Sequence, residues 1–135
     1  MNMLACLVTC LLAAVSFTST GKFPDISVTE LKKAMTEQRV ILIDMNGSVA
    51  FAKGHIPTAI DYVASKDKME QLLDNQDRDT LVVAYCGGPS CNAYKKGASK
   101  AKELGFTNIK HLSAGISGWM QAGEQTEKLK EAKKG

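Results

Sequence analysis

Two near-continuous apolar runs stand out along the chain, Val40-Ile41-Leu42-Ile43-Asp44 and Thr80-Leu81-Val82-Val83-Ala84-Tyr85. Each is too short for a helix and rich in β-branched residues, which predicts strands covered on both faces. A different period precedes the first. Val28, Leu31, Ala34 and Met35 have the three-and-four spacing of one buried helical face, and Ser27-Val28-Thr29-Glu30 forms a capping box, so a helix is expected over about Val28 to Gln38. Gly and Pro punctuate Phe51 to Pro57 as a loop, Ala59 to Val63 reads as a short strand, and Lys66 to Leu73 as a helix with Met69, Leu72 and Leu73 inward. Asp74 to Asp79 is a polar turn.

After the second apolar run the pattern is helical from Cys91 or Asn92 to Leu104, with Ala93, Ala98, Ala101 and Leu104 as its small apolar face. Gly105 suits the left-handed position past its end. Asn108 to Leu112 predicts a further strand, Ser113-Ala114-Gly115 a turn, and Ile116 to Gln121 a short helix carrying Trp119 into the core. Glu124 to Gly135 is charged and Lys-rich, which predicts a short fraying helix. Strands alternating with helices imply an α/β domain with a mainly parallel central sheet flanked by helices on both faces.

The N-terminus departs from this pattern. Leu4 to Val15 is apolar apart from Thr9, no charge occurs before Lys22, and Ser16, Thr18 and Ser19 offer cleavage positions, so residues 1–20 read as an export signal and 21–135 as the mature domain. The expected location is periplasmic or otherwise exported, with no membrane contact after cleavage. Met1-Asn2-Met3 lacks Lys and Arg, which keeps an uncleaved anchor or a misassigned start as alternatives. Cys6 and Cys10 fall in this segment and are given no function.

The 135 residues, 44% hydrophobic and 23% charged, suit one domain with a modest core. A net charge of +3 with 6% aromatic residues and no basic-aromatic stripe gives no indication of a nucleic-acid surface.

Candidate chemistry concentrates where the second apolar run ends, in Cys86-Gly87-Gly88-Pro89-Ser90-Cys91-Asn92. A thiol between a buried strand and a helix sits near unpaired amides and the positive end of the helix dipole, which favours thiolate. The glycines let the backbone curl and Pro89 stiffens it, making an anion cradle with sulfur at its base. Cys86 is the candidate nucleophile, and Gly87, Gly88, Ser90, Cys91 and Asn92 are the candidate substrate-binding positions. Such sheets bind ligands beyond the carboxyl ends of their strands, where Cys86 falls. His55, beside glycine in a loop, is expected to hydrogen-bond backbone, and Lys95 and Lys96 to be solvated helix positions, although both lysines could attract an anion. No metal or cofactor is called for.

Ile43-Asp44 with Gly54-His55-Ile56-Pro57-Thr58-Ala59-Ile60, then Val82 to Cys86, then Leu104-Gly105-Phe106 through Gly115 to Gly123 together resemble a single rhodanese domain, the fold of thiosulfate sulfurtransferases, over about 26–123. The resemblance implies that Cys86 takes a sulfane sulfur from a small donor anion such as thiosulfate, or from a persulfide or polysulfide. It then holds the sulfur as a persulfide and passes it to cyanide, a thiol or a protein thiol. The six-residue loop from Cys86 to Cys91 has the length associated with sulfur transfer, one shorter than in the related phosphatases. Two positions depart from the pattern: the family often has Arg at position 91, which could clamp an oxyanion donor, and Arg at position 46, which could pair with Asp44. The resemblance also leans position 91 toward the substrate. Cys91 is therefore either a small residue in place of Arg, or a resolving thiol able to close a disulfide with Cys86. Alternatives to catalysis are a non-catalytic sulfur carrier or interaction module, and a Cys86/Cys91 dithiol redox protein. A cysteine hydrolase using His55 or His111 has no spacing in its favour.

Overall fold

The computed structural model describes residues 23–130. The expected export segment, with Cys6 and Cys10, lies outside them, as does the end of the tail. Four parallel strands form one sheet in the order β2-β1-β3-β4: β1 Val40–Asp44, β2 Ile60–Asp61, β3 Leu81–Tyr85 and β4 Ile109–Leu112. The apolar runs are the two central strands, paired in register from Val40↔Leu81 to Asp44↔Tyr85. Beyond β4 the sheet is extended by Pro24 to Ile26, where His111 N donates to Pro24 O and Ile26 N donates to His111 O, each at 2.8 Å.

Side-chain alternation along β1 and β3 divides the core in two. On one face Ile41, Ile43, Val82, Ala84 and Cys86 pack under α4 (Met69–Leu73) and α5 (Tyr94–Glu103) through Met69, Leu73, Tyr94, Ala98 and Ala101. On the other, Leu42, Val83, Tyr85 and Leu112 meet Leu31 of α1 (Val28–Glu37) and Trp119 of α6 (Gly115–Gln121). Helices therefore cover both faces, as the apolar runs require. The α1 capping box forms in both directions, Ser27 N donating to Glu30 Oε2 at 2.8 Å and Glu30 N to Ser27 Oγ at 3.1 Å. Such a cap stabilises a helix by about 1 kcal/mol. Gly105 follows α5 at φ +93, as its position predicts.

Four expectations are corrected. The loop expected from Phe51 begins inside a helix, α2 (Ser48–Lys53), which turns Phe51 into the core. The strand expected through Val63 stops at Asp61, whose carboxylate accepts from Ala64 N at 3.3 Å and caps α3 (Tyr62–Ser65). The helix expected over Lys66 to Leu73 is a 3₁₀ turn, Lys66–Lys68, followed by α4, and Leu72 faces solvent at 50% exposure. The tail from Glu124 to Lys130 is extended where a helix was expected. It crosses the loop after α2, where His55 N donates to Glu127 O and Glu127 N to His55 O, each at 2.9 Å. Among the described residues, no helix is long and apolar enough to cross a membrane.

Candidate active site

Cys86 occupies the first position past the carboxyl end of β3, on the α5 side of the sheet, and is 2% exposed. Its loop is anchored from behind. Ile116 N donates to Cys86 O at 2.9 Å and Ser117 N to Gly87 O at 3.0 Å, so the first turn of α6 grips the loop backbone. Gly115 makes that approach feasible: it sits at φ +61, and a Cβ there would lie 2.5 Å from Cys86 O and 2.6 Å from Gly88 N. Only glycine combines that left-handed backbone with such contact. Within the loop, Cys91 N donates to Gly88 O at 3.2 Å and tightens the curl. The amides of Gly87, Gly88, Ser90 and Asn92 make no bond to backbone carbonyls among the described residues.

The curl brings Cys86 and Cys91 into a disulfide, with Cα atoms 6.2 Å apart. Of the candidate binding residues, Ser90 and Asn92 lie exposed on the rim, while Gly87, Gly88 and Cys91 are half-buried. Helix α5 begins at Tyr94, later than the expected Cys91 or Asn92, so Cys91 to Ala93 belong to the loop and widen it. Lys95 and Lys96 are exposed on the first turn of α5. Grooves of about 470 Å³ near Met35 and Arg39 and about 530 Å³ near Phe23 and Phe106 have no loop residue in their walls.

Beneath the loop, on the opposite face from Cys86, Asp44 and Tyr85 form a buried polar pair. Tyr85 Oη donates to Asp44 Oδ2 at 2.6 Å and accepts from Ile56 N at 3.0 Å, while Asn46 N donates to Asp44 Oδ1 at 2.7 Å. Burial raises the Asp44 pKa against the lowering pull of these donors. Burial and the adjoining carboxylate raise that of Tyr85, so its hydroxyl stays protonated. The carboxylate is thus served by a phenol and an amide. Asn46 also reaches the loop: a Cβ on Gly87 would lie 3.6 Å from its Oδ1.

Both histidines are engaged by other partners. His55 stacks on Phe51 with ring centroids 3.7 Å apart and donates from Nδ1 to Phe51 O at 2.7 Å. Its Nε2 lies 3.8 Å from Glu127 Oε2. The structural role expected for it is the one observed. His111 is level with Ala84 in the sheet and stacks on Tyr94 at 3.3 Å. Neither ring hydrogen-bonds to Cys86 among the described residues.

Asn46 and Gly115 are site residues missed in the sequence reading. Gly115 had a discoverable signal, since a glycine between a strand and a helix is a candidate for close backbone approach. The role of Asn46 was obscured by reading it only as the absence of a cation.

A family model for the rhodanese-like domain matches residues 27–122. An uncharacterized protein of Synechocystis, slr1261, is 30% identical over 107 residues, 79% of this chain and 58% of that protein. The thiosulfate sulfurtransferase GlpE of Shewanella oneidensis is 28% identical over 104 residues, 76% of this chain and 97% of that enzyme. Several curated relatives are longer proteins, of which this chain spans 31% to 58%. Among solved structures, the BH2092 protein of Bacillus halodurans superimposes with a TM-score of 0.65 at 26% identity, covering 78% of this chain and 77% of that one. With the parallel sheet, the cysteine at the end of its central strand and the family match over most of its length, this chain belongs to the rhodanese-like domain family.

Proposed function

We propose that this protein is a sulfurtransferase that carries sulfane sulfur on Cys86. The observation supporting this most strongly is the seating of Cys86 at the carboxyl end of the central strand. Its loop is clamped by α6, and four of the loop's amides are uncommitted to backbone carbonyls. In the reduced form, such amides favour the thiolate, the nucleophilic species, and afterwards the persulfide anion on the same atom. With thiosulfate as donor, Cys86 Sγ attacks the outer sulfur, the S–S bond breaks, and sulfite leaves with the bonding pair. The half-reaction conserves charge and needs no cofactor. A persulfide or polysulfide donor would yield a thiolate or shortened polysulfide in the same way. Cyanide or a thiol then removes the outer sulfur. No guanidinium occupies position 91, so a doubly charged oxyanion donor has amides and the field of Lys95 and Lys96 in place of a bidentate clamp. The N-terminal 20 residues are proposed to direct export to the periplasm or beyond.

The donor and the attachment point are tested together in Cys91→Ser, which cannot close the disulfide. Reduced variant is exposed to thiosulfate, polysulfide or glutathione persulfide, desalted and mapped. A gain of about 32 Da, one sulfur atom, on the Cys86 peptide is expected with at least one donor. No gain with any of them would sink the proposal.

The disulfide favours a second reading, a dithiol oxidoreductase that exchanges electrons without carrying sulfur. It predicts equilibration with dithiol buffers and an unmodified Cys86 peptide in the same mapping.

A further inference from the structure

We infer that Cys91 is a resolving nucleophile, so that the protein discharges its sulfane sulfur as sulfide and is reset by a dithiol. The inference rests on the persulfide reading of Cys86 and adds to it a product and a class of co-substrate. Three observations carry it. The structure joins the two sulfurs with Cα atoms 6.2 Å apart, inside the usual range of about 4.4–6.8 Å, so the loop accommodates a bond between Cys91 and Cys86. The atom reached is Cys86 Sγ, which would be the inner sulfur of a persulfide and the one whose attack expels sulfide. Finally, Cys86 is 2% exposed while Cys91 is half-buried on the rim, so an external acceptor meets hindrance that the neighbouring thiol does not.

The step balances within the protein. Cys91 thiolate attacks Cys86 Sγ, the new Sγ–Sγ bond forms, and the bond to the outer sulfur breaks. That sulfur leaves with the bonding pair and, taking the proton that Cys91 gives up on becoming the thiolate, departs as HS⁻. It is reduced by two electrons while the two cysteines are together oxidised by two. Regeneration needs a dithiol. Its first thiolate attacks the more exposed Cys91 Sγ and expels Cys86 as the loop-stabilised thiolate, and its second thiol then displaces Cys91 and leaves as a disulfide. Both cysteines return reduced.

The test is one turnover of fully reduced, thiol-free protein, loaded with the donor that modifies Cys91→Ser. Wild type is expected to release one equivalent of sulfide with no thiol added and to lose both thiols of the Cys86/Cys91 pair. Intramolecular attack makes this release faster by about 100-fold or more than in Cys91→Ser or Cys91→Ala. Those variants are expected to retain the added sulfur until cyanide removes it as thiocyanate. Wild type that keeps its persulfide, or releases sulfide no faster than the variants, would overturn the inference while leaving sulfur carriage on Cys86 intact. Absence of sulfur uptake and of thiocyanate in every form would overturn both. The reset is probed with glutathione, a monothiol: a mixed disulfide mapped to Cys91 is expected, and one mapped to Cys86 would overturn the assigned direction of attack.

Discussion

Tyr85 is a single residue with two structural duties, since its hydroxyl donates to the buried Asp44 carboxylate and accepts the Ile56 amide. Tyr85→Phe leaves both partners buried and short of a bond. It is expected to lower stability by about 1–3 kcal/mol in urea unfolding, with an unchanged midpoint contradicting the role. His111 carries a pH signature. Burial holds its pKa below the ordinary 6.5, with Asp25 pulling the other way, so the unfolded chain takes up the proton first. Its contribution to stability is therefore full above pH 6.5 and is lost as pH falls toward the folded value. The unfolding temperature should drop between about pH 7.5 and about pH 5.5. His111→Phe, which keeps a ring against Tyr94, should drop less, and parallel slopes would refute the assignment. At this scale much was legible. A cysteine ending an apolar run, two glycines and a second cysteine announce from local sequence alone a curled loop, which the structure closes with the Cys86–Cys91 disulfide. Tyr85 was not legible as a partner of Asp44 because what joins them is strand register between segments distant in sequence, whereas Asn46, two residues on, was read only as a missing cation.

Among the elements, the loop depends on α6 more than on its own residues. Gly115→Ala would push a methyl into the Cys86 and Gly87 backbone in a left-handed conformation. The expected result is a roughly 100-fold loss of sulfur-transfer rate with the fold retained, since a displacement of about 1 Å at a reacting atom has that effect. Gly97→Ala is the comparison: its methyl would meet mainly the flexible side chain of Met45, 2.6 Å away, and the loop should keep its place. Equal losses in both variants would mean that α6 does not set the loop. Strands β1, β3 and β4 and helices α1 and α6 were readable because their apolar pattern agrees with burial, and α1 adds a capping box. Helix α2 was not: it is short, its N-cap Gly47 supplies no side-chain cap, and only Phe51 is buried. The charged tail favours a helix by composition, yet pairing of Glu127 with His55 and acceptance of the Trp119 indole N–H by Gln125 O at 2.8 Å hold it extended.

Over the whole molecule, the tail closes the domain by tying the α2 loop to α6, with Lys32 Nζ meeting Glu124 Oε1 at 2.7 Å on the way. The architecture was predictable from alternating element types, whereas this closure was not, because it depends on backbone bonds between segments distant in sequence. Inside that frame two structural layers serve one atom: the sheet places Cys86 at its carboxyl edge, and α6 fixes the loop around it. That Cys86 does the chemistry is tested most directly by thiocyanate formation from cyanide and the donor that loads the protein. Cys91→Ser, which cannot discharge the sulfur internally, and the Cys86→Ser/Cys91→Ser double variant are compared in thiol-free buffer, with thermal unfolding recorded on both. Oxygen at position 86 cannot hold a sulfane sulfur, so the folded double variant should form no thiocyanate above the uncatalysed rate while Cys91→Ser turns over. Retained turnover in the double variant would contradict a mechanism that passes through Cys86.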